Sequence, residues 1–423
     1  MEDAKWRNRM FYDRGLRKEI MMYLNDLEAI IILGSRQVGK TTLLKIIMEK
    51  INAPGRVFYL DLEDPRNLEI VDNGPEDLME YLSSLGASFN VKNYVFLDEI
   101  HYINNPSRFI KLIVDHYADK FKIICTGSSA LGIKMKFKDA LVGRKLIFTL
   151  YPLSFREFLL FKGEKRLIDN LPANPFEEEK DFTRFFKDEY SRYFNEFLIF
   201  GGYPRIVMEN SFEKKEKLLG EIVSSYIYKD IRSLFNIGDI TKFNNLVKIL
   251  ASQIGSLINV SELARTVGIS RMTVLNYISI LENSFLISTL PPYSKNLRIE
   301  VRKAKKIYWL DNGLRNYLIG DLSPSPSRTD IGVLLEDAIF TGLIKRKKEM
   351  DYLFYWRTKD KTEVDFVYES GRKIIPIEVK TRARYHRGLV NFTRRYEIKN
   401  GYVAHLGDFK KNDISFIPAF WLA

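Results

Sequence analysis

A glycine-rich motif set between an apolar run and a predicted helix constrains this chain more than any other feature. Residues 30–44 read IIILGSRQVGKTTLL and fit the pattern G-x-x-x-x-G-K-[ST]. Glycines in such a loop let backbone N–H groups converge on phosphate oxygens, the lysine reaches the β- and γ-phosphates, and the next hydroxyl ligates Mg²⁺. The positive end of the following helix adds to the attraction. The motif predicts an ATP site; the alternative is a glycine-rich turn with a solvated lysine.

Polar residues that follow later apolar runs complete the predicted ATP site. Residues 94–99 read YVFLDE, in which Asp98 is expected to hold the metal and Glu99 to polarise the attacking water. Ser128, after the next run, is the candidate sensor of the γ-phosphate, and Arg144 is the candidate arginine finger. Because a finger can act from a neighbouring subunit, a homo-oligomer is one expectation. The alternatives are an ordinary polar strand end and a solvated arginine.

The members of this predicted site fall into three groups. The nucleotide is assigned to Gly34, Ser35, Arg36, Gln37, Val38, Gly39, Lys40, Thr41, Thr42, Asp98 and Ser128. Catalysis is assigned to Lys40, Glu99 and Arg144, and Mg²⁺ to Thr41 and Asp98.

Short apolar, β-branched runs alternate with helical patterns in the first third of the chain. The runs cover residues 30–33, 57–61, 94–98, 121–126 and 146–150. Such alternation is typical of a parallel sheet flanked by helices. We therefore predict an α/β fold with five parallel strands for this part of the chain.

Residues 259–283 show the pattern of a helix-turn-helix. Ser261 can cap a short helix, Gly268 lies in a turn, and Ser270 can cap a second helix. The second helix is predicted to bury Val274, Ile278 and Leu281 and to expose Arg271, Met272, Thr273, Asn276 and Tyr277. Residues 285–290 and 305–310 then alternate as two strands around the basic loop of Lys295, Arg298, Arg302 and Lys303. A winged helix is the simplest interpretation, and its exposed helix face would contact DNA.

A second group of acids lies near the C-terminus. Residues 362–380 read TEVDFVYESGRKIIPIEVK, two alternating strands joined by the Gly-Arg dipeptide 371–372. If that dipeptide is a two-residue turn, Asp365 lies opposite Glu378, and Lys380 shares their face. Opposed like charges cost up to about 1 kcal/mol, so a divalent metal is expected, with Lys380 acting on a phosphate or a water. Glu336, on a helix predicted over 332–344, is a further candidate ligand. The alternative is an edge hairpin whose acids pair with nearby Lys and Arg.

Charge and composition narrow the class of protein. The two signs balance over residues 1–240, so the net charge of +12 falls on residues 241–423, where a nucleic acid is the expected partner and a solvated surface the alternative. One cysteine and four scattered histidines exclude a disulfide framework and a cysteine zinc site. The scarcity of glutamine fits a thermophilic source. With no membrane-length apolar run and no signal-peptide core, we expect a cytoplasmic protein without a membrane partner.

Motifs along nearly the whole chain resemble one large prokaryotic family. They include GSRQVGKTTLL, FLDEIHYI, GRKLIFTLYPLSFREFL, GGYP, YIYKDI, LARTVGISRMTVLNYISILENSFLI, KIYWLDNGL and YWRTKDKTEVDFVYESGRKIIPIEVK. The family is that of predicted archaeal and bacterial AAA+-superfamily ATPases whose C-terminal domain is similar to PD-(D/E)XK nucleases. The resemblance implies an ATPase domain over 1–160, a helical lid over 161–240, a winged helix over 241–320 and a restriction-endonuclease-like αβββαβ domain over 331–423.

The resemblance also implies roles for single residues. Gly34, Gly39, Lys40 and Thr41 match Walker A, and Asp98 with Glu99 match Walker B. In the nuclease-like pattern Glu336 is the helix acid, Asp365 the aspartate, and Glu378 with Lys380 the (D/E)xK pair, so Mg²⁺ or Mn²⁺ would bind Glu336, Asp365 and Glu378. Val364 stands where the family name has proline.

Three functions fit these observations. The first is an ATP-dependent enzyme that processes DNA through residues 241–423. The second is a signalling or scaffold NTPase with a catalytically silent C-terminal domain, and the third is a DNA-binding ATPase without nuclease activity. The complete set of Glu336, Asp365, Glu378 and Lys380 favours the first, because a silent module has no chemical need for it.

Overall fold

The chain forms two compact units. One comprises Met1–Tyr151 with Asn283–Phe285, and the other Pro152–Glu282 with Leu286–Ala423. The computed structural model describes residues 12–127, 141–177, 185–231, 235, 237–294, 304–324 and 327–423. The predicted division into four domains is finer than these two units and stays a prediction.

A five-stranded parallel sheet forms the centre of the first unit. Its strands are β1 (Ala29–Leu33), β2 (Val57–Asp61), β3 (Asn93–Asp98), β4 (Phe121–Gly127) and β5 (Lys145–Thr149), in the order β2-β3-β4-β1-β5. Its helices are α1 (Gly15–Met22), α2 (Lys40–Lys50), α3 (Pro65–Asn73), α4 (Pro75–Ser84) and α5 (Pro106–His116). The five predicted strands are confirmed, each to within one residue at either end.

The sheet is buried on both faces, as is typical of a parallel sheet. Every residue of β1 and β4 is buried. Successive side chains of β1 enter different clusters, with Ile31 and Leu33 on one face and Ile30 and Ile32 on the other. Because all five strands run in one direction, the loop after β1 and the acids at the end of β3 meet at the same edge.

Helices make up the first part of the second unit. They are α6 (Phe155–Phe161), α7 (Lys165–Asn170), α8 (Lys187–Phe200), α9 (Pro204–Met208), α10 (Phe212–Ile222), a π-helix (Val223–Asp230), α11 (Ile240–Ser252), α12 (Val260–Val267) and α13 (Arg271–Asn283). Aromatic rings pack between them, as where Phe155 contacts Phe194 and Phe197. Across the described ranges, no helix combines the length and apolarity that crossing a bilayer requires.

The helix-turn-helix pattern corresponds to α12, α13 and two antiparallel strands, β6 (Ile287–Leu290) and β7 (Lys306–Trp309). Gly268 ends α12 with φ of 70°, and Ser270 accepts a hydrogen bond from the N–H of Thr273, as predicted. The cap of α12 was predicted wrongly, because Asn259 rather than Ser261 accepts from the helix start. The winged-helix assignment stays a prediction. The four basic residues of its predicted loop, Lys295, Arg298, Arg302 and Lys303, lie outside the described residues.

The predicted exposed face of α13 needs one correction. Val274, Ile278 and Leu281 are buried as expected, but Tyr277 is buried with them and its ring contacts Phe243. Residues 274, 277, 278 and 281 follow the i, i+3, i+4, i+7 spacing of a single helix face, so Tyr277 belongs to the inner side. Arg271, Met272 and Asn276 are exposed, and Thr273 is half-buried.

A mixed five-stranded sheet follows in the second unit. Its elements are α14 (Asn312–Ile319), α15 (Ile331–Arg346), β8 (Asp351–Arg357), β9 (Glu363–Ser370), β10 (Lys373–Val379), α16 (Arg387–Tyr396), β11 (Gly401–His405) and β12 (Ile414–Pro418), with strand order β12-β11-β10-β9-β8. From α15 to β11 the sequence of elements is αβββαβ, the predicted order. The restriction-endonuclease-like assignment itself stays a prediction.

The hairpin of β9 and β10 has the predicted register. Ser370 pairs with Lys373 and Phe366 with Ile377, which places Asp365 opposite Glu378. The turn passes through Gly371, whose φ of 59° is strained for any residue with a Cβ. Turn length alone therefore sets which acids face each other.

Candidate nucleotide and carboxylate sites

Close backbone approach explains the glycines of the loop after β1. A Cβ on Gly34 would overlap the backbone oxygen of Leu150, the residue after β5. Gly39 has φ of 101°, a conformation that residues with a Cβ rarely adopt. The loop thus turns tightly between β1 and α2, and its N–H groups lie at the start of a helix, where anions bind.

Lys40 is the buried cation of this loop. It is 5% exposed, and its Nζ donates to the carbonyl oxygens of Gly34 and Ser35 at 3.2 and 3.0 Å. Burial lowers the pKa of Lys40, while the charges of Glu99 and Asp98 oppose that shift. The ammonium is therefore held inside the loop, in the arrangement expected of a phosphate-binding lysine.

The remaining loop residues surround this lysine. Val38 is buried, Arg36 and Thr42 are half-buried, and Gln37 is exposed with φ of 60°. From the position just before α1, the guanidinium of Arg14 donates to the carbonyl of Val38 at 3.1 Å. This hydrogen bond holds the backbone of the loop at Val38, and the sequence pattern did not predict it.

Asp98 accepts hydrogen bonds from hydroxyl groups on three elements. Thr41 donates to Oδ2 at 2.7 Å, Tyr59 donates to the same oxygen at 2.9 Å, and Thr126 donates to Oδ1. The structure thus brings together Thr41 and Asp98, the two predicted Mg²⁺ ligands. Tyr59 and Thr126 were missed, because nothing in an apolar strand run marks a hydroxyl that reaches a carboxylate on the next strand.

Glu99 directly follows β3 and has a strained backbone. Its φ of 57° is unusual for a residue with a Cβ, and its N–H donates to Thr126 Oγ1 at 3.0 Å. Its carboxylate lies 3.1 Å from His101 Nδ1 and 4.0 Å from Lys40 Nζ. Burial favours the neutral acid, but the hydrogen bond with His101 and the charge of Lys40 outweigh it and lower the pKa of Glu99 to about 2. Glu99 is thus an ionised carboxylate beside the loop lysine.

Two predicted members are not placed at this site. Ser128 lies outside the described residues. Arg144 lies at the N-terminal end of the strands, opposite to the end that carries the loop. Its carbonyl accepts a hydrogen bond from the N–H of Ala29 at the start of β1, and its side chain pairs with Asp115 at 2.5 Å. The length of β1 separates it by roughly 15 Å from the loop. Arg144 therefore does not reach the nucleotide loop of its own chain, and a finger role would require a second copy.

Asp365, Glu378 and Lys380 meet at the end of the C-terminal hairpin. Glu378 is 1% exposed, and its Oε1 lies 2.6 Å from Lys380 Nζ and 2.9 Å from His386 Nδ1. Asp365 accepts from the N–H of Val379 at 2.8 Å and lies 3.7 Å from Lys380. Burial and the charge of Asp365 raise the pKa of Glu378. The two acids therefore repel each other, as predicted, and Lys380 and His386 offset part of that repulsion.

Glu336 meets side chains from β7. Tyr308 donates to its Oε1 at 2.6 Å, and Lys306 Nζ lies 3.4 Å from the same oxygen and 2.5 Å from Glu363. Burial and the charge of Asp365 raise the pKa of Glu336 to about 7, although Lys306 opposes the shift. Lys306 and Tyr308 were missed, because they precede the predicted nuclease-like region in sequence.

The donor set only partly fits a metal ion. Among the described residues, none donates a hydrogen bond to Oε2 of the buried Glu378, which leaves one carboxylate oxygen for a cation. However, no three His, Cys, Asp or Glu side chains in the described ranges are grouped so as to hold a metal. Glu336 points to Lys306 and Tyr308, so the pair of Asp365 and Glu378 is the part that fits a divalent ion.

Comparison with known families supports the interpretation of the first unit. Residues 26–159, which contain all five strands of the parallel sheet, match a family model described as an AAA domain. The chain carries a P-loop domain of the AAA+ type. That match supports the binding of ATP and the use of Mg²⁺. Residues 191–325 and 331–421 match two models, each described as a domain of unknown function.

Sequence similarity to other proteins extends over both units. An uncharacterized protein of Methanocaldococcus jannaschii is 29% identical over 85% of this chain and 76% of its own length. A second protein of that organism, also uncharacterized, is 28% identical over 98% of this chain and 88% of its own length. An uncharacterized protein of Haemophilus influenzae is 26% identical over 82% of this chain and 81% of its own length. Sequence similarity to these archaeal and bacterial proteins therefore covers parts of both units.

Solved structures give weaker likenesses. A Signal Transduction ATPase with Numerous Domains from Pyrococcus horikoshii, with a tetratricopeptide repeat sensor, matches 81% of this chain and 47% of its own, at 14% identity and a TM-score of 0.28. Cdc6p from Pyrobaculum aerophilum matches 73% of this chain and 91% of its own, at 12% identity and a TM-score of 0.29. TM-scores this low support no statement about the function or assembly of this chain.

Proposed function

We propose that the first unit binds Mg-ATP and hydrolyses it. The contact between Thr41 and Asp98 carries the proposal, because a hydroxyl and a carboxylate from two separate motifs lie 2.7 Å apart next to the buried Lys40. Lys40 would bind the β- and γ-phosphates, and Glu99 would orient the attacking water. Bound Mg²⁺, held through Thr41 and Asp98, would neutralise charge on the phosphates.

Two substitutions test this proposal. Lys40→Ala should abolish binding of a fluorescent ATP analogue, since the loop loses the buried ammonium that would contact the phosphates. Glu99→Gln should retain binding, because the amide has nearly the same shape, and should lower phosphate release by at least about a hundredfold. If Glu99→Gln hydrolysed ATP at the rate of the natural chain, Glu99 would not orient the water.

A second proposal concerns the carboxylates of the second unit. We propose that they bind Mg²⁺ or Mn²⁺ and act on the phosphodiester backbone of DNA, with Lys380 placed at the reacting phosphate. The opposed pair of Asp365 and Glu378 supports this proposal, together with the free Oε2 of Glu378. The basic character of residues 241–423 supports a nucleic acid as partner.

Cleavage of plasmid and single-stranded DNA with Mn²⁺ tests this activity. Asp365→Ala and Lys380→Ala should each abolish it, and exposed Lys373, on the same hairpin, gives the control Lys373→Ala. Activity that survived both changes at Asp365 and Lys380 would refute the assignment.

The competing proposal is an NTPase with a silent C-terminal domain. It is favoured by the way in which Lys306, Lys380 and His386 already neutralise the acids. Mn²⁺ titration by isothermal calorimetry separates the two proposals. If the C-terminal domain is silent, the natural chain and Asp365→Ala should give the same heat of Mn²⁺ binding.

DNA binding through the exposed face of α13 is a further expectation, and Arg271→Glu should weaken it if that face is the contact.

A further inference from the structure

The loop between β10 and α16 is exposed and strongly basic. Residues 381–387, which comprise most of this loop and the first residue of α16, read TRARYHR, and Arg382, Arg384 and Arg387 are all exposed. None of these three guanidinium groups forms an ion pair with a carboxylate in the described part of the chain. Arginines without internal counterions create a local positive potential that attracts polyanions, and their planar groups match phosphate geometry.

An aromatic side chain stands among these arginines. Tyr385 is 64% exposed, and its ring meets Phe416 of β12 edge-on at a centroid distance of 5.3 Å. The contact fixes the ring, while most of its surface remains in water. Fixed, exposed aromatic rings between cations are the usual platform for stacking the bases of an unpaired strand.

The basic loop is tied directly to the carboxylates. His386 Nδ1 lies 2.9 Å from Glu378 Oε1. At the start of α16, a Cβ on Gly388 would overlap the backbone oxygen of Glu363, so the first turn of α16 is pressed against the start of β9. A polymer held by the loop would therefore pass beside Asp365 and Glu378.

We propose that the β10–α16 loop binds single-stranded nucleic acid, with its arginines on successive phosphates and Tyr385 stacked on a base. This inference rests on the proposed action of the second unit on nucleic acid and adds the substrate class. A duplex fits less well, because its bases are stacked on one another and offer no free face to Tyr385. An acidic peptide would use the arginines but not the ring.

Fluorescence anisotropy of the full chain, with EDTA to prevent cleavage, tests this surface. The probes are a fluorescein-labelled oligothymidylate, the corresponding oligouridylate and a duplex of equal length. Tyr385→Ala should weaken binding of a single strand by at least about fivefold, and Tyr385→Phe should bind like the natural chain. Replacing Arg382, Arg384 and Arg387 by alanine should reduce the slope of log affinity against log salt by about 2.

Tyr352 provides a matched control. It is a tyrosine with 51% exposure at the start of β8, and β8 and β10 are both antiparallel to β9. Its side chain therefore lies at the end of the sheet opposite to the β10–α16 loop. Tyr352→Ala should bind single strands as the natural chain does. Thermal unfolding of each variant should match that of the natural chain, since both tyrosines are largely exposed.

The outcomes separate this proposal from the proposed cleavage. Tyr385-dependent binding of either oligothymidylate or oligouridylate supports the surface, and the tighter of the two identifies the nucleic acid. The proposal is refuted if Tyr385→Ala binds single strands as well as Tyr352→Ala does, or if the duplex binds tighter than both single strands. A chain that binds through Tyr385 yet never cleaves refutes only the cleavage. A chain that cleaves DNA but whose binding of single strands does not depend on Tyr385 refutes only the surface.

Discussion

Thr126 joins the two acidic residues of the nucleotide site, and its replacement by valine should damage stability and turnover together. Its hydroxyl donates to Asp98 and accepts from the N–H of Glu99 at 3.0 Å. Valine keeps the shape and the β-branching of threonine but can make neither hydrogen bond. Loss of a bond to a charged group costs about 1.5–3 kcal/mol, and an unsatisfied buried N–H costs about 1–3 kcal/mol. Since the two losses share one hydroxyl, we expect a combined cost of about 2–4 kcal/mol.

The conservative change Thr126→Ser isolates the hydroxyl. It removes one methyl group from a fully buried site, which should cost about 1 kcal/mol. Urea unfolding followed by far-UV circular dichroism gives the stabilities, and phosphate release gives the turnover. We expect Thr126→Val to bind ATP but to hydrolyse it at least about tenfold more slowly than Thr126→Ser, because Glu99 loses the bond that holds its strained backbone. If the two variants were equally stable and equally active, Thr126 would not position these acids.

Three further predictions follow from other contacts. His101→Ala should leave ATP affinity unchanged but lower kcat by about tenfold, and His101→Asn, whose amide can replace Nδ1 beside Glu99, should restore most of it in steady-state assays. Burial holds the pKa of Lys122 at about 8, below the value of 10.5 for a free lysine, so the folded state releases this proton first. The free energy of unfolding should therefore rise between pH 8 and 10.5 relative to that of Lys122→Met in urea titrations, and a constant difference would contradict the shift. Within α15, Gly342→Ala should lower stability by about 1–3 kcal/mol in calorimetry, because its Cβ would overlap backbone of the C-terminal segment. Gly332→Ala, whose Cβ would lie at an ordinary van der Waals distance of 4.0 Å from Thr381, should be neutral or stabilising by up to about 1 kcal/mol.

Structural features that depend on residues close together in sequence could be predicted from the sequence. The parallel strands follow from apolar runs, and a parallel sheet brings the loop of Lys40 and the acid Asp98 to one edge without further information. The opposition of Asp365 and Glu378 follows from the length of a single turn.

Contacts between distant segments could not be predicted in this way. Tyr59 and Lys306 lie in predicted strands. The spacing of residues in a strand shows which side chains share a face, but it does not show which carboxylate the polar end of a side chain reaches. Tyr277 could have been placed correctly, because its spacing from Val274 puts it on the inner face of α13. A tyrosine is compatible with either face, and spacing was the better guide.

The position of Lys306 has a practical consequence for dissecting the molecule. A fragment cut where the C-terminal family match begins, at residue 331, would lack β7 and with it both Lys306 and Tyr308. Glu336 and Glu363 would then lose the cation between them, and removal of one partner from a buried charge pair costs about 3–5 kcal/mol. Such a fragment could fail to fold or lose activity for reasons unrelated to its chemistry. A cut placed before β6 keeps the carboxylates and their lysine in one piece.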